Sequence, residues 1–122
     1  MEYVRIYADV EGQTHFEEVE EALAAVDFAP PAAPQHVSAF APASRVGFLG
    51  VPPGWFGDWH PVPRRQFLFY IAGEIEIEVG DGEVRRFGPG SVLLAEDTDG
   101  RGHTTRVVGA DPVRAAVVQL PD

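Results

Sequence analysis

The chain of 122 residues contains no cysteine, lysine or asparagine, and it has one methionine. Without cysteine it cannot form a disulfide, a thiolate nucleophile, a cysteine-ligated zinc site or an iron–sulfur cluster. Without lysine it lacks the side chain that forms Schiff bases and the one that contacts phosphates in a P-loop. All nine cationic residues are therefore arginines.

Positive charge is scarce, and the formal net charge is -10. Residues 1–27 hold eight acidic residues and one arginine, so most of the excess negative charge lies there. Nucleic acids and anionic membrane surfaces bind through basic faces, so neither is expected as a partner. We interpret the acidic N-terminal region as a solvated face.

Long hydrophobic runs are also missing. The longest uninterrupted run, Phe67–Ala72, is much shorter than the roughly 20 residues that span a membrane. The N-terminus has no basic region followed by an apolar core, so no signal peptide is predicted. We therefore expect a cytoplasmic protein without a membrane segment.

Glycine and proline are abundant, with 13 and 11 residues, and they separate short apolar segments. This pattern and length predict one all-β domain. The predicted strands are Tyr3–Ala8, Arg45–Val51, Gln66–Ala72, Glu74–Val79, Ser91–Ala95, Thr104–Val108 and Val113–Leu120. Residues 15–27 fit either a short helix or an extended segment. The proline-rich residues 28–42 predict an irregular connection, with room for a strand near His36–Phe40.

A hairpin is predicted around Asp81 and Gly82. Residues 74–79 alternate glutamate with isoleucine or valine, so one face is apolar and the other acidic. The Asp-Gly pair favours a two-residue type I′ turn. That turn would place Val79 opposite Val84 and Glu78 opposite Arg85.

Polar residues on both sides of this hairpin are candidates for a pocket. If residues 60–70 are extended, alternate side chains share one side, and these are His60, Val62, Arg64, Gln66, Leu68 and Tyr70. His103 begins a strand after an acidic, glycine-rich loop and is expected at the same pocket. Trp55 and Trp59 are interpreted either as an aromatic wall for a substrate or as core packing. Arg64 is a candidate for holding a substrate carboxylate, or else an exposed residue.

The glycines and histidines around the hairpin resemble the two motifs of the cupin family. The first motif is Gly, five residues, His-x-His, three or four residues, Glu, six residues, Gly. Its spacings are matched by Gly54, His60, Val62, Gln66 and Gly73, with Val62 at the second His and Gln66 at the Glu. The second motif is matched by Gly90, Gly100 and His103 if the loop is two residues longer. Thr98 and Val107 then stand at its Pro and Asn positions.

The resemblance implies a double-stranded β-helix, or jelly-roll barrel, formed by residues 45–122. Residues 1–44 would be an N-terminal extension that packs on it. By the same resemblance the protein forms a homodimer through edge strands and binds a small molecule inside the barrel. The implied activity is an isomerisation, cyclisation, decarboxylation or oxygenation without an organic cofactor. A non-catalytic binding or sensing cupin is the alternative, because this fold hosts unrelated functions.

His60, Gln66 and His103 stand at three of the family's four metal positions. The resemblance therefore implies one divalent transition metal, namely Zn, Ni, Fe, Mn or Cu, held by two imidazoles and an amide oxygen. Asp97 or Asp58 would substitute for the missing ligand. The opposite interpretation is that the site has lost its metal.

A metal-free site would rely on acid and base side chains. His103 would be the base, because histidine titrates near neutral pH. Asp97 or Asp99 would orient it, and Tyr70 or His60 would act as the acid. The other interpretation of the two aspartates is a solvated turn.

Overall fold

The computed structural model describes all 122 residues, and it contains strands and turns but no helix. The all-β prediction is confirmed. No helix is present that is long and apolar enough to cross a membrane. The strands are β1 Glu2–Ala8, β2 Thr14–Glu20, β3 Ala24–Val26, β4 Gln35–Val37, β5 Arg45–Val51, β6 Phe56–His60, β7 Gln66–Ala72, β8 Glu74–Glu78, β9 Val84–Phe87, β10 Val92–Ala95, β11 His103–Val108 and β12 Val113–Gln119.

Two sheets enclose the core. The larger has six strands in the order β2-β1-β10-β7-β12-β5, and the smaller has four in the order β6-β11-β8-β9. β3 and β4 form a separate two-stranded sheet. All pairings are antiparallel except that of β1 with β10. Residues 1–20, within the predicted extension, therefore supply two of the six strands in the larger sheet.

The core follows from the alternation of side chains along each strand. Ile75, Ile77 and Val79 are buried, whereas the intervening glutamates of β8 are partly exposed. Each inward position removes an apolar side chain from water, which stabilises the fold by roughly 1.5–3 kcal/mol for a fully buried Val or Ile. The buried cluster comprises Ile6, Phe16, Tyr70, Ile75, Ile77, Val79, Phe87, Leu93, Val107, Val113 and Ala115.

The ambiguous residues 15–27 are extended. β2 pairs with β1 along its whole length, and Thr14 and Phe16 are buried while Glu17 and Glu18 are exposed. The edge of β1 satisfies the backbone of this segment, which a short isolated helix would not achieve as well. Leu23 and Val26, which belong to the apolar stripe of the alternative helix, are exposed and contribute nothing to the core.

The predicted register of the hairpin is wrong by one residue. Glu78 pairs with Val84 and Ile77 with Arg85. Gly82 has a φ of +93°, but Asp81 does not have a positive φ, so a type I′ turn is excluded. The amide of Gly82 donates to the carbonyl of Val79, which closes a three-residue loop instead. Such loops place one left-handed residue after a type I turn.

The strands Arg45–Val51 and Gln66–Ala72 are confirmed with the predicted bounds. The prediction that residues 60–70 are extended is wrong for residues 61–65. β6 ends at His60 and β7 begins at Gln66, and the residues between them form no strand. β6 itself was not predicted. The prolines at 61 and 63 remove two backbone donors, so this stretch cannot pair regularly.

Candidate functional site

A cavity of about 230 Å³ lies between the two sheets. Inward-facing residues of β7, β8, β10 and β11 form most of its wall, and β5 and the chain around β6 complete it. The lining residues are Leu49, Val51, Trp55, His60, Val62, Pro63, Gln66, Leu68, Tyr70, Ile75, Ile77, Leu93, Ala95, His103 and Thr105. Most of them are hydrophobic, so the polar groups that remain are few and define where chemistry is available.

His103 is held by a buried carboxylate. Its Nδ1 lies 2.5 Å from Oδ2 of Asp97, and Asp97 is completely buried. The carboxylate accepts a hydrogen bond from Nδ1–H, so the neutral ring carries its proton there and leaves Nε2 as the base. Asp97 does not line the cavity and lies behind the ring. The structure thus brings Asp97, and not Asp99, to His103.

The second cavity histidine has the same tautomer for a different reason. Nδ1 of His60 lies 2.6 Å from the backbone carbonyl of Asp58. A carbonyl only accepts, so Nδ1 donates and the neutral ring keeps Nε2 free of a proton. The rings of His60 and His103 are adjacent, with centroids 4.6 Å apart. Two imidazoles therefore present unprotonated Nε2 atoms at one end of the cavity.

A close backbone approach places these histidines side by side. His60 and His103 are paired residues of β6 and β11. Gly102 has a φ of +81°, and a Cβ there would lie 1.9 Å from the carbonyl oxygen of His60. Only glycine fits, because any side chain would collide with the backbone that carries His60. The glycine before His103 is therefore part of the site geometry.

Two hydrogen-bonding networks fix the loop before His103. The hydroxyl of Thr14 donates to the carbonyl of Gly102 at 2.7 Å and accepts from the amide of Gly80 at 2.6 Å. Glu96 bonds Arg5 and Arg65 on the side away from the cavity. Burial raises the pKa of the Glu96 carboxyl, but these hydrogen bonds outweigh it and hold the pKa below the ordinary value.

Two buried polar atoms have no hydrogen-bond partner. They are Oδ1 of Asp97 and Oγ1 of Thr105. Thr105 lies two residues after His103 on the same face of β11 and lines the cavity. Sequence reasoning did not single out Thr105, although the alternation of β11 would have placed it beside His103. An unpaired buried group lowers stability, so each such group calls for an explanation.

The other predicted site residues divide into those that face the cavity and those that do not. Trp55, Gln66 and Tyr70 line it. Burial raises the pKa of the Tyr70 hydroxyl, which therefore stays protonated. Tyr70 lies four residues along β7 from Gln66, about 13 Å away at strand rise. Its role as an acid beside His103 stays a prediction.

Arg64 and Trp59 do not line the cavity, which corrects their prediction as substrate contacts. Arg64 is exposed in the irregular stretch 61–65, where the strand alternation that would turn it inward is lost. The Trp59 ring lies outside and stacks with Arg101, whose Cζ is 3.9 Å from the ring centroid.

The ligand atoms that the cavity side chains offer fit a metal centre poorly. No group of three or more His, Cys, Asp or Glu side chains is arranged to hold a metal ion. Asp97 lies behind His103, and Asp58 is exposed with its carboxylate on the amide of Trp59, so neither replaces the missing ligand. Two imidazoles and the Gln66 amide, which accepts from Gln119, lack the charged or third imidazole ligand usual in catalytic sites. Metal binding at His60, Gln66 and His103 stays a prediction.

Comparison with known proteins identifies the fold. No protein-family model matches the sequence, and no curated protein matches it. Among solved structures, the DMSP lyase DddQ of Ruegeria pomeroyi is 25% identical with a TM-score of 0.55, over 83% of this chain and 48% of that one. A cupin-superfamily sugar phosphate isomerase of Silicibacter pomeroyi is 18% identical with a TM-score of 0.50, over 63% and 50%.

A third match is the cupin domain of Cnp3 from Schizosaccharomyces pombe, 16% identical with a TM-score of 0.51, over 89% of this chain and 73% of that domain. The chain spans about half the length of the isomerase and the lyase. The two-sheet topology and the similarity to these structures indicate the same fold as the motif spacing around the hairpin. The chain therefore has the double-stranded β-helix fold of the cupin superfamily.

Proposed function

We propose that the protein is an enzyme that binds a small molecule in the cavity and moves a proton on it by metal-independent acid–base catalysis. The observation that carries this proposal is the pairing of His103 with the buried carboxylate of Asp97. A carboxylate–imidazole pair with one free ring nitrogen facing a cavity is the arrangement of a general base. Among the reactions that the family resemblance implies, isomerisation by proton transfer needs least beyond this pair.

The roles follow from the hydrogen bonds. Nε2 of His103 takes a proton from the substrate, and the resulting imidazolium is stabilised by Asp97 through Nδ1. Asp97 is a positioning residue, because it touches His103 and not the cavity. His60 is partly exposed and adjacent to His103. It first takes a proton from solvent on Nε2 and then gives it to the substrate, and the proton on His103 passes to solvent, so both rings return to the neutral form. Gln66 offers a neutral hydrogen-bonding amide at the same end.

Deuterium exchange tests this proposal even while the substrate is unidentified. The protein is incubated in D₂O with a mixture of small carbonyl compounds, and deuterium incorporation is read by mass spectrometry. Incorporation above background is expected for a subset of compounds. Exchange should fall about 100-fold or more in His103→Gln, because general-base catalysis contributes that much.

The variants separate the roles. Asp97→Asn keeps the shape but lets the other tautomer form, so kcat should fall while the affinity for the compound changes little. His36→Gln is the matched control, since His36 is an exposed strand residue far from the cavity. Unchanged exchange in folded His103→Gln would contradict the proposal.

A non-catalytic binding or sensing protein with the same pocket is the alternative. It would show ligand-induced thermal stabilisation, by mass action on the folded state, with no chemical change in any compound.

A further inference from the structure

Apart from its two histidines and Tyr70, the cavity wall carries no ionisable side chain. None of the nine arginines and none of the nineteen acidic residues lines it. A carboxylate or phosphate that entered would lose its hydration without gaining a guanidinium partner. Burying an unpaired ion costs far more than burying a neutral group. This wall therefore selects against anions, including phosphate esters.

Most of the polar groups lie at one end. Val62 donates its amide to the carbonyl of Asp97, and Gln66 pairs with Ala95, so these residues lie beside the His103 end. Along β7 the inward positions then become Leu68 and Tyr70. Along β8 and β11, Ile77 pairs with Thr105, and Ile75 pairs with Val107 farther from His103. The cavity is thus polar at its histidine end and mainly apolar beyond, where Tyr70 brings the one further hydroxyl.

The volume limits the size of what fits. A dry apolar cavity of about 150 Å³ holds benzene. In proportion, a cavity of about 230 Å³ accommodates about nine non-hydrogen atoms.

From these three features we infer that the substrate class is uncharged and largely apolar, of about nine non-hydrogen atoms, with one hydrogen-bonding group directed at His60 and His103. The inference rests on the site of the proposed function and narrows it. Thr105, which lines the same wall next to the histidines, also brings no charge to it.

A matched pair of probes tests the charge selectivity. Benzamide and benzoate have nearly the same shape and differ in charge, and phenyl phosphate adds a larger anion. Thermal melting of the full chain is measured with each probe at equal concentration. At about ten times its dissociation constant, benzamide should raise Tm by about 5 °C. Benzoate and phenyl phosphate should give no comparable shift.

Two substitutions on β7 locate the binding. Leu68→Trp fills the apolar part of the cavity and should abolish the benzamide shift. Phe69→Trp is the control, because the adjacent side chain points to the outer face and is partly exposed. Circular dichroism checks that both variants fold. A benzamide shift that survives Leu68→Trp would show binding elsewhere and would overturn the inference.

The remaining outcomes are also decisive. A larger Tm shift with benzoate or phenyl phosphate than with benzamide would contradict the inference that the substrate is uncharged. It would not contradict the cavity as the binding site. If benzamide does not raise Tm at any concentration up to its solubility limit, the inferred substrate class is also wrong. The deuterium-exchange experiment tests the proposed function separately. If benzamide binds but no carbonyl compound exchanges deuterium, the inferred ligand class is supported and catalysis is contradicted.

Discussion

Thr14 and Thr105 provide a paired test of what holds the site together. Both are buried threonines that face inward from strands, and both change to valine with almost no change of shape. The hydroxyl of Thr14 has two backbone partners, on Gly102 and Gly80, whereas that of Thr105 has none. The same substitution should therefore have opposite consequences at the two positions.

The magnitudes follow from the groups left behind. Thr14→Val leaves the buried carbonyl of Gly102 unpaired, at about 1–3 kcal/mol, whereas the amide of the exposed Gly80 can bond water instead. The free energy of unfolding should therefore fall by about 1–3 kcal/mol, a sizeable part of the stability of a domain of this size. Thr105→Val removes an unpaired hydroxyl from an apolar wall, so the change should lie between zero and a gain of about 1 kcal/mol.

Urea unfolding measures both changes. With a slope of about 2 kcal/mol/M, the midpoint of Thr14→Val should fall by about 0.5–1.5 M and that of Thr105→Val should hold or rise. Because Gly102 precedes His103, Thr14→Val should also lower activity or probe affinity in protein that is still folded. Equal losses of stability in the two variants would refute the hydrogen-bond argument.

Three further predictions concern metal, pH and assembly. Val62→His adds the imidazole that the first motif lacks. It should raise the affinity for Zn or Ni, measured by calorimetry, well above that of the unsubstituted protein. Equal affinities would contradict the argument that the site fits a metal poorly because it lacks a ligand. Glu96 has a lowered pKa, so its contribution exists above the ordinary value of 4.5 and is lost as the pH falls through the folded-state value. Glu96→Gln should therefore cost about 1–2 kcal/mol at pH 7 and progressively less as the pH falls below 4.5, by urea unfolding across pH. A homodimer is proposed through the free edge of β5, where Phe48 is 86% exposed. Phe48→Glu should therefore yield monomers by light scattering, and a monomeric unsubstituted protein would refute this interface.

A second pH effect comes from a histidine that sequence reasoning passed over. Nδ1 of His15 lies 2.8 Å from Asp81, and Nε2 lies 2.8 Å from Asp9. Hydrogen bonds to Asp9 and then Asp81 raise the pKa of His15 above its ordinary value of 6.5. Its stabilisation is therefore complete below pH 6.5 and is lost as the pH rises through the folded-state value. His15→Gln should flatten that part of a Tm–pH curve, and an unchanged curve would contradict the assignment.

Much of the fold could be predicted from the sequence because it depends on local pattern. The apolar run Phe67–Ala72 and the alternation at 74–79 specify strands whatever surrounds them. The spacing from Gly54 to Gly73 pointed to His60 and Gln66, and that from Gly90 to His103 pointed to His103; all three residues line the cavity. Such features need only neighbouring residues, so a single sequence carries them.

The tertiary structure decided what depends on distant residues. The sequence favoured a solvated turn at Asp97 over a partner for His103, and only the approach of the loop to Val62 and His103 buries it behind the imidazole. Residues 15–27 fitted two conformations until the edge of β1 supplied backbone partners for β2. In each case the deciding energy comes from burial and hydrogen bonds between segments far apart in the chain, which local pattern does not contain.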